Sequence, residues 1–292
     1  MNNSKRTKRY TAKNAAKKTR LRLNAKGRIM ITFAGMILVS IIVSNLMTWF
    51  DSYDGLGEPE TIPESPYDRE KFRYDEKGRL QYEDDRWISR TVVDVSSYQK
   101  EIDWEQVAAD GVEMAMIRLG YRGYESGLLN LDRCYKANVK GAHKAGLDVG
   151  VYFFSQAVTV EEAEEEARFV LRNIRGKHVN GPIAFDMEPI AGADRITHLT
   201  VEQKTAIADA FCQLIEKNGH QAMVYGNPKW LTQDVDMSLL TDHDVWLAHY
   251  TSITEWGFAY TMWQYTDSGS VAGIEGSADL SVQLREKKYL AE

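Results

Sequence analysis

Two carboxylates lie one residue apart in the stretch from Pro182 to Ile190, PIAFDMEPI, which is otherwise apolar. A run of this kind is typical of a buried β-strand, where an unpaired carboxylate costs free energy. Side chains two residues apart on a strand point to the same face, so Asp186 and Glu188 face one site. Burial and mutual repulsion raise the pKa of at least one of them, as a general acid at neutral pH requires. The pair predicts acid–base chemistry of the kind that cleaves glycosidic bonds.

Taken alone, a D-x-E pair is equally compatible with acids that cap the next helix or bind an arginine. Other chemically capable side chains occur where apolar runs end, and they favour the catalytic interpretation. Two further acids, Asp94 and Asp279, lie in the strand-like stretches TVVDVSS and ADLSV. Tyrosines suit sugar faces because each combines an apolar ring with a hydrogen-bonding hydroxyl. The groups predicted to line a substrate groove are Tyr121, Tyr152, Tyr225, Trp246, His249, Tyr250 and Gln264.

Short β-branched or aromatic runs alternate with helical patterns, several of which end in glycine, between residues 91 and 292. This alternation predicts the α/β class, with a parallel sheet built of βα units. About eight strands, with little helix between the last ones, predict an irregular parallel β/α-barrel that is TIM-like. An open doubly wound sheet is disfavoured because no Gly-rich loop follows the first strand. Functional groups in such a barrel gather at the C-terminal ends of the strands, where the candidate residues fall.

The first fifty residues differ sharply in charge from the rest. They contain eleven Lys or Arg and no Asp or Glu, which leaves 25 basic against 42 acidic side chains in the remaining residues. Residues 29–50 carry no charge, and a helix of that length rises ~33 Å, enough to cross a bilayer core of ~30 Å. By the positive-inside rule the N-terminus is cytoplasmic and the residues after the apolar run are extracytoplasmic.

These features predict a basic cytoplasmic tail (1–28), a transmembrane signal anchor (29–50), an extracytoplasmic stalk (51–90) and a barrel domain (91–292). The stalk prediction rests on a polar, acidic composition rich in Pro and Gly, although the part from Tyr82 to Trp87 could pack on the domain edge. Cleavage near Val43-Ser44-Asn45 remains an alternative to a retained anchor. The basic segment could also be a nucleic-acid-binding tail. Since the adjacent apolar run accounts for its charges, no nucleic-acid partner is predicted.

Several stretches, in order from about Val93 to Val282, resemble glycoside hydrolase family 25, the lysozyme-type muramidases. They are VDVSSYQKEIDW, IRLGYRGYESG, AGLDVGVYFFSQA, the FDMEP strand, VWLAHY, MWQYTDSGSVAGIEG and ADLSV. The resemblance implies an irregular β/α-barrel that cleaves the β-1,4 bond between N-acetylmuramic acid and N-acetylglucosamine in peptidoglycan. It implies no metal and no cofactor, and a domain that faces the cell wall with glycan strands as its partner.

The resemblance also implies roles for individual residues. Glu188 matches the proton donor of the family, Asp186 the second acid of its D-x-E pair, and Asp94 the acid of its first-strand D-x-S motif. Asp279 matches the acid of the last strand, and Tyr152, Tyr225 and Gln264 fall on positions similar to substrate-lining residues. One departure concerns the sixth strand, where His249 stands in place of the glutamine of W-x-A-Q-Y. We expect this histidine to tune binding or pH response rather than abolish activity.

Two other functions remain open. An anchored barrel could bind glycan strands without cutting them, but loss of one of the four acids would favour that reading, and all four are present. A chitinase-type hydrolase would carry a longer D-x-x-D-x-D-x-E motif, whereas Ile183, Ala184 and Phe185 precede Asp186 here.

Overall fold

The computed structural model describes residues 60–289. Within that range the β-strands are β1 (Arg73–Tyr74), β2 (Leu80–Gln81), β3 (Trp87–Val95), β4 (Met114–Arg122), β5 (Leu129–Leu131), β6 (Asp148–Ser155), β7 (Ile183–Met187), β8 (Ala222–Gly226), β9 (Asp244–Ala248), β10 (Met262–Gly269) and β11 (Ala278–Glu286). The α-helices are α1 (Trp104–Ala109), α2 (Tyr135–Lys144), α3 (Val160–Ile174) and α4 (Val201–Lys217).

In the described part of the chain, eight strands close into a barrel in the order β3, β4, β6, β7, β8, β9, β10, β11. The predicted barrel is therefore confirmed, but one strand departs from the predicted parallel arrangement. Strands β3 to β10 of this series run parallel, whereas β11 runs antiparallel to both of its neighbours, β10 and β3. The connection from Gly269 to Ala278 is too short for a parallel crossover, which takes about a dozen residues or more.

The direction of β11 decides where its acid lies. Asp279 is near the N-terminal end of the strand, and its register partner on β3 is Asp94, near the C-terminal end of that strand. An antiparallel strand therefore brings Asp279 to the mouth of the barrel, where the parallel strands end. Below the mouth the barrel is filled by an apolar cluster that includes Val92, Met114, Met116, Ala184, Met223 and Met262.

Helices α3 and α4 are the longest in the described range, and their ends follow sequence signals. Thr159 caps α3 by accepting a hydrogen bond from the backbone N–H of Glu162. Thr200 and Gln203 form a capping box at the start of α4, which satisfies backbone donors that the first turn leaves free. The helices pack on the outer side of the sheet, where Phe185 of β7 contacts Phe211 of α4 at a ring-centroid distance of 5.3 Å.

The prediction of an extended stalk is wrong for residues 60–81, which pack on the barrel, and for residues 88–90, which belong to β3. The alternative that Tyr82 to Trp87 packs on the domain is confirmed. We call residues 60–86 the N-terminal arm. The arm buries Tyr67, Leu80 and Tyr82, and the Tyr67 hydroxyl donates a hydrogen bond of 2.9 Å to the carbonyl oxygen of Tyr260. Its backbone also pairs with the barrel, since the N–H of Ser65 donates to the carbonyl oxygen of Gly257 at 2.9 Å. The packed domain therefore begins by residue 60 rather than at residue 91.

The arm takes the place that helices occupy elsewhere around the barrel. Among the described residues no α-helix follows β8, β9 or β10, so the outer faces of the last strands need another cover. Trp263 points outward from β10, as its alternation with Gln264 predicts, and it contacts Phe72 of the arm at a ring-centroid distance of 5.4 Å. An apolar face that helices leave open is thus buried by a segment whose own composition is polar.

Tyr82→Ala is expected to lower the free energy of unfolding by about 3–4 kcal/mol, because truncating a buried aromatic side chain leaves a cavity. Tyr82 is 1% exposed, and its hydroxyl donates to Asp84 at 2.6 Å. Tyr74→Ala is the matched control, since Tyr74 of the same arm is 45% exposed and should change stability little. Urea unfolding of both variants measures the difference. Equal stabilities would contradict an arm that belongs to the folded core.

The predicted tail (1–28), the predicted transmembrane segment (29–50) and the first part of the predicted stalk lie outside the described residues. Between residues 60 and 289, no helix is both long enough and apolar enough to cross a bilayer.

Candidate active site

Strand β7 carries one acid into the barrel mouth and ends just before the other. Asp186 is buried, and Glu188, which directly follows the strand, is half-buried. Burial raises the pKa of both carboxyl groups, and the charge of Glu188 raises that of Asp186 further. Asp186 Oδ1 has no hydrogen-bond partner among the N–H and O–H groups of the described residues. The proximity of Glu188 raises the pKa of Asp186, and Asp186 in turn lowers that of Glu188, so burial favours one proton on the pair well above the ordinary carboxylate range.

The other two acids form a second pair on the strands that close the barrel. Burial raises the pKa of Asp94 well above its ordinary value, and the neighbouring charge of Asp279 raises it further. Partial burial, with the charge of Asp267 as a smaller cause, raises the pKa of Asp279 to about 6. The charge of Glu188 also raises the pKa values of both groups. The four predicted acids therefore share one mouth and one electrostatic environment.

Gln264 connects the second acid pair to two tyrosines. Its Nε2 donates to Asp94 Oδ2 at 2.9 Å and reaches Asp279 Oδ2 at 3.4 Å. Its Oε1 accepts hydrogen bonds from the hydroxyls of Tyr225 at 2.9 Å and Tyr250 at 2.8 Å. Gln264 is 1% exposed, so its predicted place in an open groove is corrected: the side chain orients Asp94 from below. Gln264 can be buried at little cost in free energy, because its amide N–H and oxygen are hydrogen-bonded within the protein.

Trp246 requires a similar correction. It is 2% exposed and its indole N–H donates to Ser281 Oγ at 3.0 Å, so it does not line an open groove as predicted. Its inward position on β9 lies one layer below the mouth, in register with Met262. From there it supports two predicted groups by edge-to-face contacts, with Tyr225 at 4.9 Å and Tyr152 at 6.1 Å between ring centroids. Tyr152 itself lies close enough to the acids for their charges to raise its pKa, after burial, which is the larger cause.

A cavity of about 320 Å³ opens beside Glu188. The structure places three of the predicted groove residues in its wall, namely Tyr225, His249 and Tyr250, together with Asn227 and Trp230. His249 Nδ1 is 2.9 Å from the hydroxyl of Thr254, which fixes the orientation of the imidazole ring. Glu188, which the sequence resemblance matches to a proton donor, thus borders open space that is large enough for part of a ligand.

Arg118, which was assigned no role from the sequence, lies in the middle of β4. Its guanidinium group pairs with Asp132 at 2.8 Å and lies 5.5 Å from the ring centroid of Tyr121, a predicted groove residue that is partly exposed. A second tyrosine, Tyr98, contacts the same guanidinium at 5.2 Å. The positive charge of Arg118 opposes the rise in the pKa of Asp186 that burial and Glu188 cause. The sequence did contain a signal for this position, because Arg118 shares the inward face of β4 with Met114 and Met116, four and two residues earlier.

Asp279→Asn is expected to stabilise the fold at pH 7.5 by about 1–2 kcal/mol, allowing for solvent screening of a partly exposed group. A native pKa of about 6 lies above the unfolded value, so the charged form costs stability that grows between about pH 4 and pH 6 and stays constant above that range. Asparagine removes this cost. Thermal melting at pH 7.5 should therefore favour the variant, and melting at pH 4 should show no difference. A gain that persists at pH 4 would contradict the electrostatic cause.

Comparisons with known proteins add an independent observation. The family profile described as Glycosyl hydrolases family 25 matches residues 93–274. The chain is 30% identical to the autolytic lysozyme of Clostridium acetobutylicum over 189 residues, which cover 64% of this chain and 54% of that protein. It is 24% identical to lysozyme M1 of Streptomyces globisporus over 198 residues, which cover 64% of this chain and 65% of that protein. The chain thus spans about half the length of the clostridial relative.

Solved structures confirm the barrel fold. The modular autolysin LytC from Streptococcus pneumoniae aligns with a TM-score of 0.61 at 23% identity, covering 76% of this chain and 52% of that one. A family 25 glycosyl hydrolase from Bacillus anthracis aligns with a TM-score of 0.55 at 22% identity, covering 72% of this chain and 94% of that one.

Proposed function

The chain belongs to glycosyl hydrolases family 25, and we propose that it is a peptidoglycan hydrolase of the N-acetylmuramidase type. It would cleave the β-1,4 bond between N-acetylmuramic acid and N-acetylglucosamine. The observation that carries this proposal is the position of Glu188, which follows the strand that carries the buried Asp186 and lies in the wall of an open cavity. The name of the clostridial relative, an autolytic lysozyme, supports the same substrate class.

Glu188 is the proton donor in this proposal. It is more exposed than Asp186 and borders the cavity, so it can reach the glycosidic oxygen of a bound strand. Transfer of the retained proton to that oxygen lets the leaving sugar depart as a neutral alcohol while positive charge develops on the sugar that remains. After the transfer both carboxyl groups of the pair are ionised, and Asp186 stabilises the developing positive charge from below.

Asp94 and Asp279 orient the other reacting groups. Gln264 holds the Asp94 carboxyl group in place through its Nε2, so this acid can accept a hydrogen bond from the attacking water or from the substrate N-acetyl group. Tyr225 and Tyr250 are held by the same glutamine and present their rings to the cavity. These contacts would bind the sugar faces on either side of the scissile bond.

The catalytic proposal is tested by the release of reducing groups from purified peptidoglycan by the full chain. Hydrolysis predicts a steady rise in soluble reducing ends. A module that only binds glycan predicts cosedimentation with the wall and no reducing ends, and that outcome would overturn the proposal. Four acids in one mouth favour hydrolysis, because a binding module gains nothing from carboxyl groups whose burial costs stability.

We further propose that the chain is a single-pass protein of the cell membrane, with residues 1–28 in the cytoplasm and the barrel facing the cell wall. The charge asymmetry and the uncharged run of residues 29–50 support this location. Retention in the membrane fraction after alkaline carbonate extraction, with the barrel open to external protease in wall-stripped cells, is the expected result. Release of the intact chain by carbonate would contradict the anchor.

A further inference from the structure

The arm carries a β-hairpin, β1–β2, that lies outside the region matched by the family profile. Its turn depends on Gly78, whose φ of 72° is a left-handed conformation that glycine adopts without strain. Asp75 Oδ1 accepts hydrogen bonds from the backbone N–H groups of Lys77 at 2.9 Å and Arg79 at 2.8 Å. The hairpin therefore has an ordered turn with internal hydrogen bonds, and Tyr74 directly precedes that turn.

One carboxylate ties this hairpin to the barrel. Asp110, at the end of α1, accepts a hydrogen bond from Lys77 Nζ at 2.8 Å and pairs with the guanidinium group of Arg79. Its Oδ2 also accepts the backbone N–H of Ala272, in the β10–β11 connection, at 3.1 Å. Since three partners meet at Asp110, the position of the hairpin relative to the end of β10 is fixed. Tyr74 is also positioned against the barrel, because its ring lies 6.1 Å from the ring of Tyr265 on β10.

A groove of about 590 Å³ lies between the hairpin and the end of β10. Tyr250 lines both this groove and the cavity beside Glu188, so one side chain borders both spaces. Leu280, the neighbour of Asp279, contributes to the groove wall. A strand that occupies the cavity at Glu188 can therefore continue past Tyr250 into the groove.

The walls of the groove suit a neutral, hydroxyl-rich ligand. Thr266 and Ser268 are among several hydroxyl side chains in the lining, and the exposed ring of Tyr74 offers an apolar face. The lining contains one basic residue, Lys77, and Asp110 already neutralises it. Asp267 leaves the groove negative, which disfavours the carboxylates of a peptide and of N-acetylmuramic acid, so the neutral N-acetylglucosamine is the better fit.

We propose that the β1–β2 hairpin completes an accessory subsite, in which Tyr74 binds a further sugar of the glycan strand beyond the cavity at Glu188. The subsite rests on the proposed function, because its ligand is the continuation of the strand that Glu188 would cut. It predicts that this protein prefers long strands to short ones, and that the preference comes from the arm.

The test measures binding rather than catalysis, so that it stands apart from the hydrolysis assay. Full-length Glu188→Gln protein is titrated with peptide-free glycan strands of increasing length, and the gain in affinity with length is compared with that of the Glu188→Gln, Tyr74→Ala double variant. We expect the increase in affinity from short to long strands to be about five- to tenfold smaller in the double variant, which is the size typical of one well-placed aromatic contact. The matched control adds Tyr289→Ala instead, a tyrosine that is 71% exposed beyond the far end of β11.

An equal gain with length in both proteins would overturn the subsite. A loss that appears only on strands that carry stem peptides would also overturn it, by assigning the groove to the peptide. Failure of the wild-type chain to release reducing ends would instead refute the proposed hydrolysis and leave the binding result standing.

Discussion

Glu188→Gln is expected to lower kcat/KM for peptidoglycan hydrolysis by about 10³-fold, within the range of about 10²–10⁴ that general acid catalysis contributes. Glutamine has nearly the same shape as the protonated acid but has no proton to transfer to the glycosidic oxygen. Glycan binding should therefore survive while bond cleavage is lost. The rate of reducing-end release from purified peptidoglycan measures the effect.

The control for this substitution is Glu105→Gln, which makes the same chemical change on the exposed surface of α1. It should retain wild-type activity. Thermal melting should show that Glu188→Gln remains folded, since the change removes a charge whose burial is unfavourable. Full activity of Glu188→Gln would contradict its assignment as the proton donor.

Asp186→Asn is expected to reduce kcat/KM at pH 7 by about 10²–10³-fold and to move the alkaline limb of the pH profile to lower pH. In the wild-type protein, burial raises the pKa of both carboxyl groups and the charge of Glu188 raises that of Asp186 further, so one proton stays on the pair. Asparagine removes the repulsion and can donate an N–H hydrogen bond to the Glu188 carboxylate. Both changes favour the charged form of Glu188, so its pKa falls and the donor is ionised at neutral pH.

The pH profile distinguishes this account from a purely structural role of Asp186. A structural role predicts lower activity with an unchanged pH dependence, whereas the shared proton predicts partial recovery as the pH falls. Asp242→Asn, at an exposed site just before β9, is the matched control and should leave the profile unchanged. An alkaline limb that stays in place in Asp186→Asn would refute the shared proton.

Much of the active-site geometry was predictable because strand periodicity constrains it. Asp186 lies on β7 and Glu188 directly follows that strand, so the alternation of side chains predicts that the two face the same way. Asp94 and Asp279 were predicted at the same mouth, and the structure places them there as register partners. The prediction had the wrong direction for the last strand, however, because residue spacing alone does not distinguish a short antiparallel return from a parallel strand.

Other features depend on packing between distant segments, which local patterns do not encode. The arm has the composition of a flexible linker, yet it is ordered because β9 to β11 leave an apolar surface that Tyr67 and Tyr82 bury. Trp246 and Gln264 were predicted near the mouth, but the register of β9, β10 and β11 places them below it, where neighbouring groups satisfy their polar atoms. Alternation along a strand identifies the inward face but does not give the depth at which a side chain lies.

The central claim is that this protein cuts glycan strands as a muramidase, and the identity of the new reducing ends tests it most directly. Purified peptidoglycan is digested with the full chain, the products are reduced with borohydride, and the sugar that has become an alditol is identified by mass spectrometry. The account predicts N-acetylmuramic acid at every new reducing end, and Glu188→Gln protein should yield none. N-acetylglucosamine at those ends, or no new ends at all from the wild-type chain, would contradict it.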